Sequence, residues 1–406
     1  MYKRTRKPEL SYPGEKLIRG RHKIHPYPAM LHPLLVDYLL HKYGKKGNVV
    51  FDPFCGSGVT LFESAVHGHA SVGFEINPLA LLIAKTKVEH YDIARLKSEY
   101  ADFKKTILNG KKIDVPQINN IDYWYTRDII KDLGKIREVL KRKKYKYKDF
   151  FITNFAYICR KQSLTRAGEF KRYRIKKEKI DSFQNKVFEM LFSRIEEMIE
   201  IYSKTDKPLK RSKLVLANSE NPIAKNIKYD LVITSPPYGD SRTTVAYGEF
   251  SSFGADWVSD LNPYGINKYR VDKESLGKIS VVNGELSKNS ILNNVLNKIA
   301  AQDKKRADDV LYFYNGYYNA VKNVVKNLNK DGTACFIVGN RTVKGINIPM
   351  DQITASFLED MKLKFDGIYV RDILNKIMPS KNSPSNITGI KSQTMLHEYI
   401  VIFHKN

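Results

Sequence analysis

Two short segments of the chain stand out for the reactive and ligand-binding groups they bring together. The first is Asp52-Pro53-Phe54-Cys55-Gly56-Ser57-Gly58-Val59-Thr60. It follows a β-rich run, Asn48 to Phe51, and precedes a helical pattern from Val59 to His67. A second β-rich run, Ala70 to Phe74, then ends at Glu75. Glycines between a strand and a helix let the backbone approach a ligand closely, because no Cβ intervenes. The dinucleotide fingerprint GxGxxG lacks its third glycine here, so the turn alone says little. The succession strand, glycine turn, helix, strand, acid says more and predicts a nucleoside-type cofactor. Asp52 is placed to pair with a cationic group such as an α-ammonium, and Glu75 to accept hydrogen bonds from both hydroxyls of a ribose. The second segment is Thr234-Ser235-Pro236-Pro237-Tyr238-Gly239, directly after the apolar run that ends at Ile233. Neither proline has an N–H, so a strand ladder cannot continue through them. Alone, the segment leaves open a stiff turn with Tyr238 as a packing residue. Downstream of the glycine turn, it is a rigid mount for a hydroxyl, a carbonyl and a flat ring.

The elements that must position these segments follow an α/β alternation. An apolar-periodic helix spans Leu31 to Leu40 and is ended by Gly44 and Gly47; another opens at Pro78. Further strands are predicted at Lys213 to Ala217, Tyr229 to Thr234, Thr333 to Val338, Phe365 to Val370 and His397 to Phe403, with a helix at Asp309 to Leu328 and a turn at Asp331-Gly332. The fold class is α/β: a doubly wound Rossmann-like sheet, mostly parallel, with an antiparallel C-terminal strand. Residues 85–212 lack strand alternation and read as a mainly helical insertion, so residues 1–84 and 213–406 form one domain around it. Residues 241–303 are rich in Ser, Asn and Gly and read as a long functional loop.

Composition narrows the partners. The chain has 406 residues, 69 Lys and Arg against 43 Asp and Glu, and a formal net charge of +26. Such an excess favours a polyanion, because each neutralised phosphate releases counterions. A Lys-rich composition with solvated side chains throughout would give the same total, so clustering matters more. Clusters occur at Lys141-Arg142-Lys143-Lys144-Tyr145-Lys146-Tyr147-Lys148 and at Lys171-Arg172-Tyr173-Arg174 with Lys176, Lys177 and Lys179. Cys55, Cys159 and Cys335 form no CxxC pair, which argues against a zinc site or disulfide framework and fits a reducing cytoplasm. No apolar run is long enough for a bilayer, and the basic start Met1 to Lys7 leads into Pro8 and Glu9, not a signal core. The expectation is a cytoplasmic protein with no membrane partner.

The segment from His25-Pro26-Tyr27-Pro28-Ala29 to Leu40, followed by Asp52 to Thr60, resembles motifs X and I of the DNA amino-methyltransferases, and Ser235-Pro236-Pro237-Tyr238 resembles their motif IV, (D/N/S)PP(Y/F/W). The resemblance covers roughly residues 21–84 and 213–406. It implies S-adenosyl-L-methionine as donor, S-adenosyl-L-homocysteine as product and no metal. It places Asp52, Phe54, Gly56, Gly58 and Thr60 around the methionine part, Tyr27 and Pro28 over it, Glu75 on the ribose, and Asn218 and Ser219 facing the adenine. Ser235, Pro236, Pro237 and Tyr238 would be catalytic. An exocyclic amine is a poor nucleophile because its lone pair is delocalised into the ring. Acceptors such as the Ser235 hydroxyl and the Pro236 carbonyl, aimed at its protons, pull it toward a tetrahedral nitrogen, and Tyr238 could stack the base.

The serine form of the motif is typical of cytosine-N4 enzymes, so the expected substrate is cytosine N4 in duplex DNA, reached by base flipping. Adenine N6, an RNA target, or an inactive methyltransferase fold that only binds nucleic acid stay open. Cytosine-C5 chemistry needs a thiolate, and no cysteine lies in 234–241. Asp240 is either a proton acceptor or a solvated loop carboxylate. The basic clusters suit phosphate contacts, Arg166 or Arg174 suits base readout, and Ser241 to Gly248 is a second candidate for gripping the flipped strand. Family likeness implies a cognate restriction endonuclease as partner. The insertion precedes the strand at 213, whereas in the resembling alpha arrangement the recognition region follows that strand.

Overall fold

A computed structural model describes residues 1–166, 168, 171–204, 209–240, 245–265, 271–278, 281–374, 381–382, 392–393 and 395–406. In chain order the strands are β1 (Arg4–Arg6), β2 (Val49–Asp52), β3 (Ala70–Glu75), β4 (Ser212–Leu216), β5 (Tyr229–Thr234), β6 (Leu328–Gly339), β7 (Arg341–Val343), β8 (Ile346–Ile348), β9 (Leu363–Asp372), β10 (Lys381–Asn382), β11 (Ser392–Gln393) and β12 (His397–Lys405). The helices are α1 (Pro33–Tyr43), α2 (Val59–Val66), α3 (Pro78–Val88), α4 (Ile93–Asn109), α5 (Ile121–Trp124), α6 (Arg127–Arg142), α7 (Lys148–Lys161), α8 (Lys177–Ile180), α9 (Val187–Ser203), α10 (Tyr247–Trp257), α11 (Val271–Glu274), α12 (Ser290–Ala300), α13 (Lys304–Asn327) and α14 (Met350–Asp360).

Eight strands form one sheet in the order β1-β9-β12-β6-β5-β2-β3-β4. All neighbours are parallel except β12, which runs antiparallel to both β6 and β9. This is the doubly wound sheet with an antiparallel C-terminal strand that the sequence predicts. The central strands are continuous apolar runs because helices cover both faces: Leu231, Val232 and Ile233 are fully buried. From β2 the chain steps outward to β3 and β4, then returns across β2 to β5. The strand order therefore reverses between β2 and β5, and the crevice at their carboxyl ends is where ligands bind in such sheets.

Three expectations are corrected. β1 escapes the pattern because Arg-Thr-Arg has no apolar residue; it is an exposed edge strand, held by a bidentate pair from Arg4 to Asp351 at 2.6 and 2.9 Å. The turn expected at Asp331-Gly332 lies inside β6, where Asp331 has φ of +59° and the register against β5 shifts. The expected loop region 241–303 contains α10, α11 and α12. Nine of the eleven residues of α10, Gly-, Ser- and Phe-rich, are buried; tertiary burial overrides weak helix propensity there.

Helix α3 runs across position 85, and α4 to α9 occupy the stretch up to Ser203. Apart from α8, which buries no residue, their apolar faces share one core with Leu79 and Ile83 of α3 and with Phe250, Phe253 and Trp257 of α10. The helical layer is thus packed onto the sheet domain through α3 and α10. Among the described residues, no helix is long and apolar enough to cross a membrane.

Candidate active site

The cleft lies at the switch point. Tyr27, Pro28, Asp52, Phe54, Gly56, Thr60, Glu75, Asn218, Ser219, Ser235 and Pro237 all line it. Gly58, Pro236 and Tyr238 are not in its wall. The two motifs meet because β2 and β5 are parallel neighbours, and the Thr234 hydroxyl donates to Asp52 Oδ1 at 2.6 Å across their ends.

The glycine turn is tied down by the acid of the next strand. Glu75 accepts from the Gly56 N–H at 2.9 Å and the Asn77 N–H at 2.8 Å, while the Cys55 N–H bonds to the Phe74 carbonyl. Gly56 and Gly58 take φ of +48° and +76°. Gly58 has a packing reason as well: a Cβ there would lie 2.7 Å from Ala84 Cβ and 3.0 Å from Ala84 Cα, so α3 could not approach. Gly58→Ala combines left-handed strain with overpacking and is expected to destabilise the chain by about 2–4 kcal/mol. A urea midpoint lowered at unchanged slope is the readout; an unmoved midpoint would disprove the packing role.

Burial dominates the electrostatics. Asp52 is 2% exposed, and burial pushes its carboxyl up to about 6 against the opposing hydrogen bonds from Thr234 and the Phe54 N–H. Burial likewise pushes Glu75 up to about 7 against its backbone donors. Neither forms an ion pair among the described residues. Two buried acids without a cation suit a ligand that brings positive charge and hydroxyl donors. The ammonium, sulfonium and ribose diol of S-adenosylmethionine fit that donor set.

Above the acids, Ser235 Oγ lies 3.0 Å from the Tyr238 hydroxyl, which donates to Glu398 Oε1 at 3.0 Å. The Tyr238 ring packs on Gly339, where a Cβ would come within 2.7 Å of it. Asp240 is not a solvated loop carboxylate. It is 3% exposed, and its Oδ2 accepts from Arg306 at 3.0 Å and Arg341 at 3.2 Å. Two guanidiniums favour its charged form, which suits an anchor for the turn.

Sequence reasoning missed several cleft residues. Tyr247 lines the wall with its ring 5.8 Å from that of Tyr27; it lay inside the stretch proposed for strand gripping, of which 241–244 fall outside the described residues. Asp272, Glu274 and Leu276 also line it. Asp272 accepts from the Gly248 and Glu249 N–H groups, both at 3.0 Å, and so fixes the start of α10. No motif marks residues 271–276.

The basic clusters are partly neutralised. Lys143 pairs with Asp102 at 3.0 Å and Lys141 with Asp114 at 3.4 Å. Arg174 stacks over Tyr123 at 4.1 Å and Arg166 over Tyr173 at 6.0 Å.

Residues 3–86 and 229–406 match the model of a family described as DNA methylase, the N6/N4 methyltransferases. The chain is 33% identical over 416 residues to the Type II methyltransferase M.MvaI of Kocuria varians, spanning 94% of this chain and 90% of that protein. It is 32% identical over 186 residues to the Type II methyltransferase M.MjaII of Methanocaldococcus jannaschii, spanning 46% of this chain and 29% of that one. Among solved structures, a SAM-dependent methyltransferase of Methanosarcina mazei is similar with a TM-score of 0.34 at 8% identity, over 94% of this chain and 98% of that chain.

Proposed function

This chain belongs to the N6/N4 family of DNA methylases, and we propose that within it the protein methylates the exocyclic N4 of cytosine in duplex DNA. The observation that carries the reading is Ser235: a serine heads the proline turn, and it faces the same cleft as Asp52 and Glu75.

S-adenosylmethionine, when bound, supplies a methyl group on a cationic sulfur that needs no metal to activate it. Asp52 and Glu75 hold it by charge and by hydrogen bonds to its diol. Tyr27 and Pro28 cover it, Gly56 admits it, and Asn218 and Ser219 border the base of its nucleoside. The target cytosine is flipped out of the duplex at a cost of roughly a few kcal/mol. Ser235 Oγ, on the cleft wall, accepts from its amine and frees the nitrogen lone pair, with the carbonyl of Pro236, outside that wall but next on the turn, as the second acceptor. The prolines spare this arrangement any reorganisation, and Tyr238 backs the turn. The helical layer between 93 and 203 and its uncompensated lysines contact the duplex on either side. The relatives named Type II methyltransferases support a place in a restriction–modification pair, with a cognate endonuclease as partner.

Incubation of plasmid DNA with the protein and S-adenosylmethionine, followed by nucleoside mass spectrometry, is expected to yield N4-methylcytosine at a short recurrent sequence. N6-methyladenine would move the target to the other base of the family. Methylation of RNA alone, or of nothing, would overturn the reading.

A further inference from the structure

Serine is an ambiguous choice for gripping an amine. An aspartate or a backbone carbonyl only accepts, whereas a hydroxyl both donates and accepts. A freely rotating Ser235 would spend part of its time presenting a proton to the incoming N–H groups.

The hydrogen-bond chain behind Ser235 removes that ambiguity. Glu398 Oε2 lies 3.2 Å from Arg371 Nε. This contact is one of charge, without hydrogen-bond geometry at Nε; Arg371 is 7% exposed and its Nη1 donates to the Leu10 carbonyl at 3.1 Å. A carboxylate held in an ion pair accepts only. Tyr238 has one hydroxyl proton, burial raises the phenol well above its ordinary range so that the proton stays on, and it is committed to Glu398 at 3.0 Å. The Tyr238 oxygen can therefore only accept from Ser235, 3.0 Å away. The single serine proton points back toward Tyr238, and both lone pairs remain for the cleft that Ser235 lines.

We infer that Glu398 and Arg371, acting through Tyr238, are positioning residues that fix Ser235 as a pure hydrogen-bond acceptor toward the target amine. This rests on the functional reading of Ser235 given above. Neither positioning residue touches substrate; they act through proton order alone. Glu398→Gln inverts that order. The Arg371 charge draws the amide oxygen to its side, the amide N–H then faces Tyr238, and the reversal propagates until Ser235 points its proton into the cleft.

The test uses the full chain and four proteins: wild type, Glu398→Gln, Tyr238→Phe, and the double variant. Each is assayed for kcat, donor affinity and melting temperature. Glu398→Gln is expected to lower kcat at least about tenfold with donor affinity unmoved, while the melting temperature falls because the buried Arg371 loses its charge partner. Tyr238→Phe keeps the ring but cuts the chain, so adding Glu398→Gln to it should change kcat less than about twofold, the non-additivity of a shared network. An unaltered kcat in Glu398→Gln, assayed well below its melting temperature, overturns the inference, and so does an additive double variant or a loss of donor affinity equal to the loss in kcat. If Glu398→Gln fails to fold, an unchanged kcat in Tyr238→Phe overturns it equally. A wild-type chain that transfers no methyl to DNA overturns the functional reading and this one with it.

Discussion

Ser235→Ala is expected to retain donor affinity within about twofold and to lose about 10²–10³-fold in kcat, the scale of removing one preorganised polar group aimed at a reacting centre. The asymmetry follows from where the side chain sits. Ser235 reaches the cleft wall from the end of β5, whereas the acids that suit the donor stand on β2 and β3. Alanine leaves the Thr234–Asp52 contact and both prolines in place, so the turn keeps its shape. What would be lost on the proposed reading is the acceptor that faces the cleft, and the Pro236 carbonyl, which does not line it, would draw out the lone pair less well. The measurement is single-turnover methyl transfer to duplex DNA beside calorimetry with S-adenosylmethionine. An equal loss in both quantities would make Ser235 a donor-binding residue and remove the basis for amine activation.

That Ser235 and Asp52 share one cleft is legible because both motifs sit at strand ends. Local sequence marks a strand by its apolar run and its stop by glycine or proline, as at Asp52-Pro53 and Ser235-Pro236. Adjacency of β2 and β5 then follows from the reversal of strand order in a doubly wound sheet. Residues whose roles come from distant partners are not legible in this way. Glu398 is 160 residues from Tyr238 and stands in a strand that reads as ordinary sheet. Asp272 matters because it caps α10, and α10 itself is hidden by a glycine- and serine-rich sequence that only burial against α7 makes helical. Asp240 stayed open between proton acceptor and solvated loop carboxylate because Arg306 and Arg341, which pair with its charge, come from α13 and β7, far along the chain. Charge misleads for a related reason. The run at 141–148 counts as a basic patch in sequence, yet Asp102 and Asp114 return to face it in space.

Donor affinity is expected to rise with pH and level off above about 7, and Asp52→Asn is expected to weaken it roughly 10–100-fold at pH 8, the worth of one or two charge-assisted contacts. Burial holds Asp52 at about 6 and Glu75 at about 7. Both must be ionised to meet a cationic ligand, so affinity falls as protons compete below those values, by up to tenfold per pH unit for each acid. Binding at pH 6.5 should therefore release protons, visible as a buffer-dependent heat, and binding at pH 8.5 should release almost none. The sign for the free protein is opposite. A carboxyl whose folded value is raised contributes stability at pH below its unfolded value, and that contribution is lost as pH rises through about 6. Asp52→Asn, which keeps the shape of the group, should consequently melt higher than wild type at pH 8 while the two converge at acid pH. The same buried charge thus weakens the free protein and, on the proposed reading, favours a cationic ligand. A donor affinity flat from pH 5.5 to 8, or an Asp52→Asn protein that melts lower at pH 8, would mean that Asp52 is satisfied inside the fold and has no claim on the ligand.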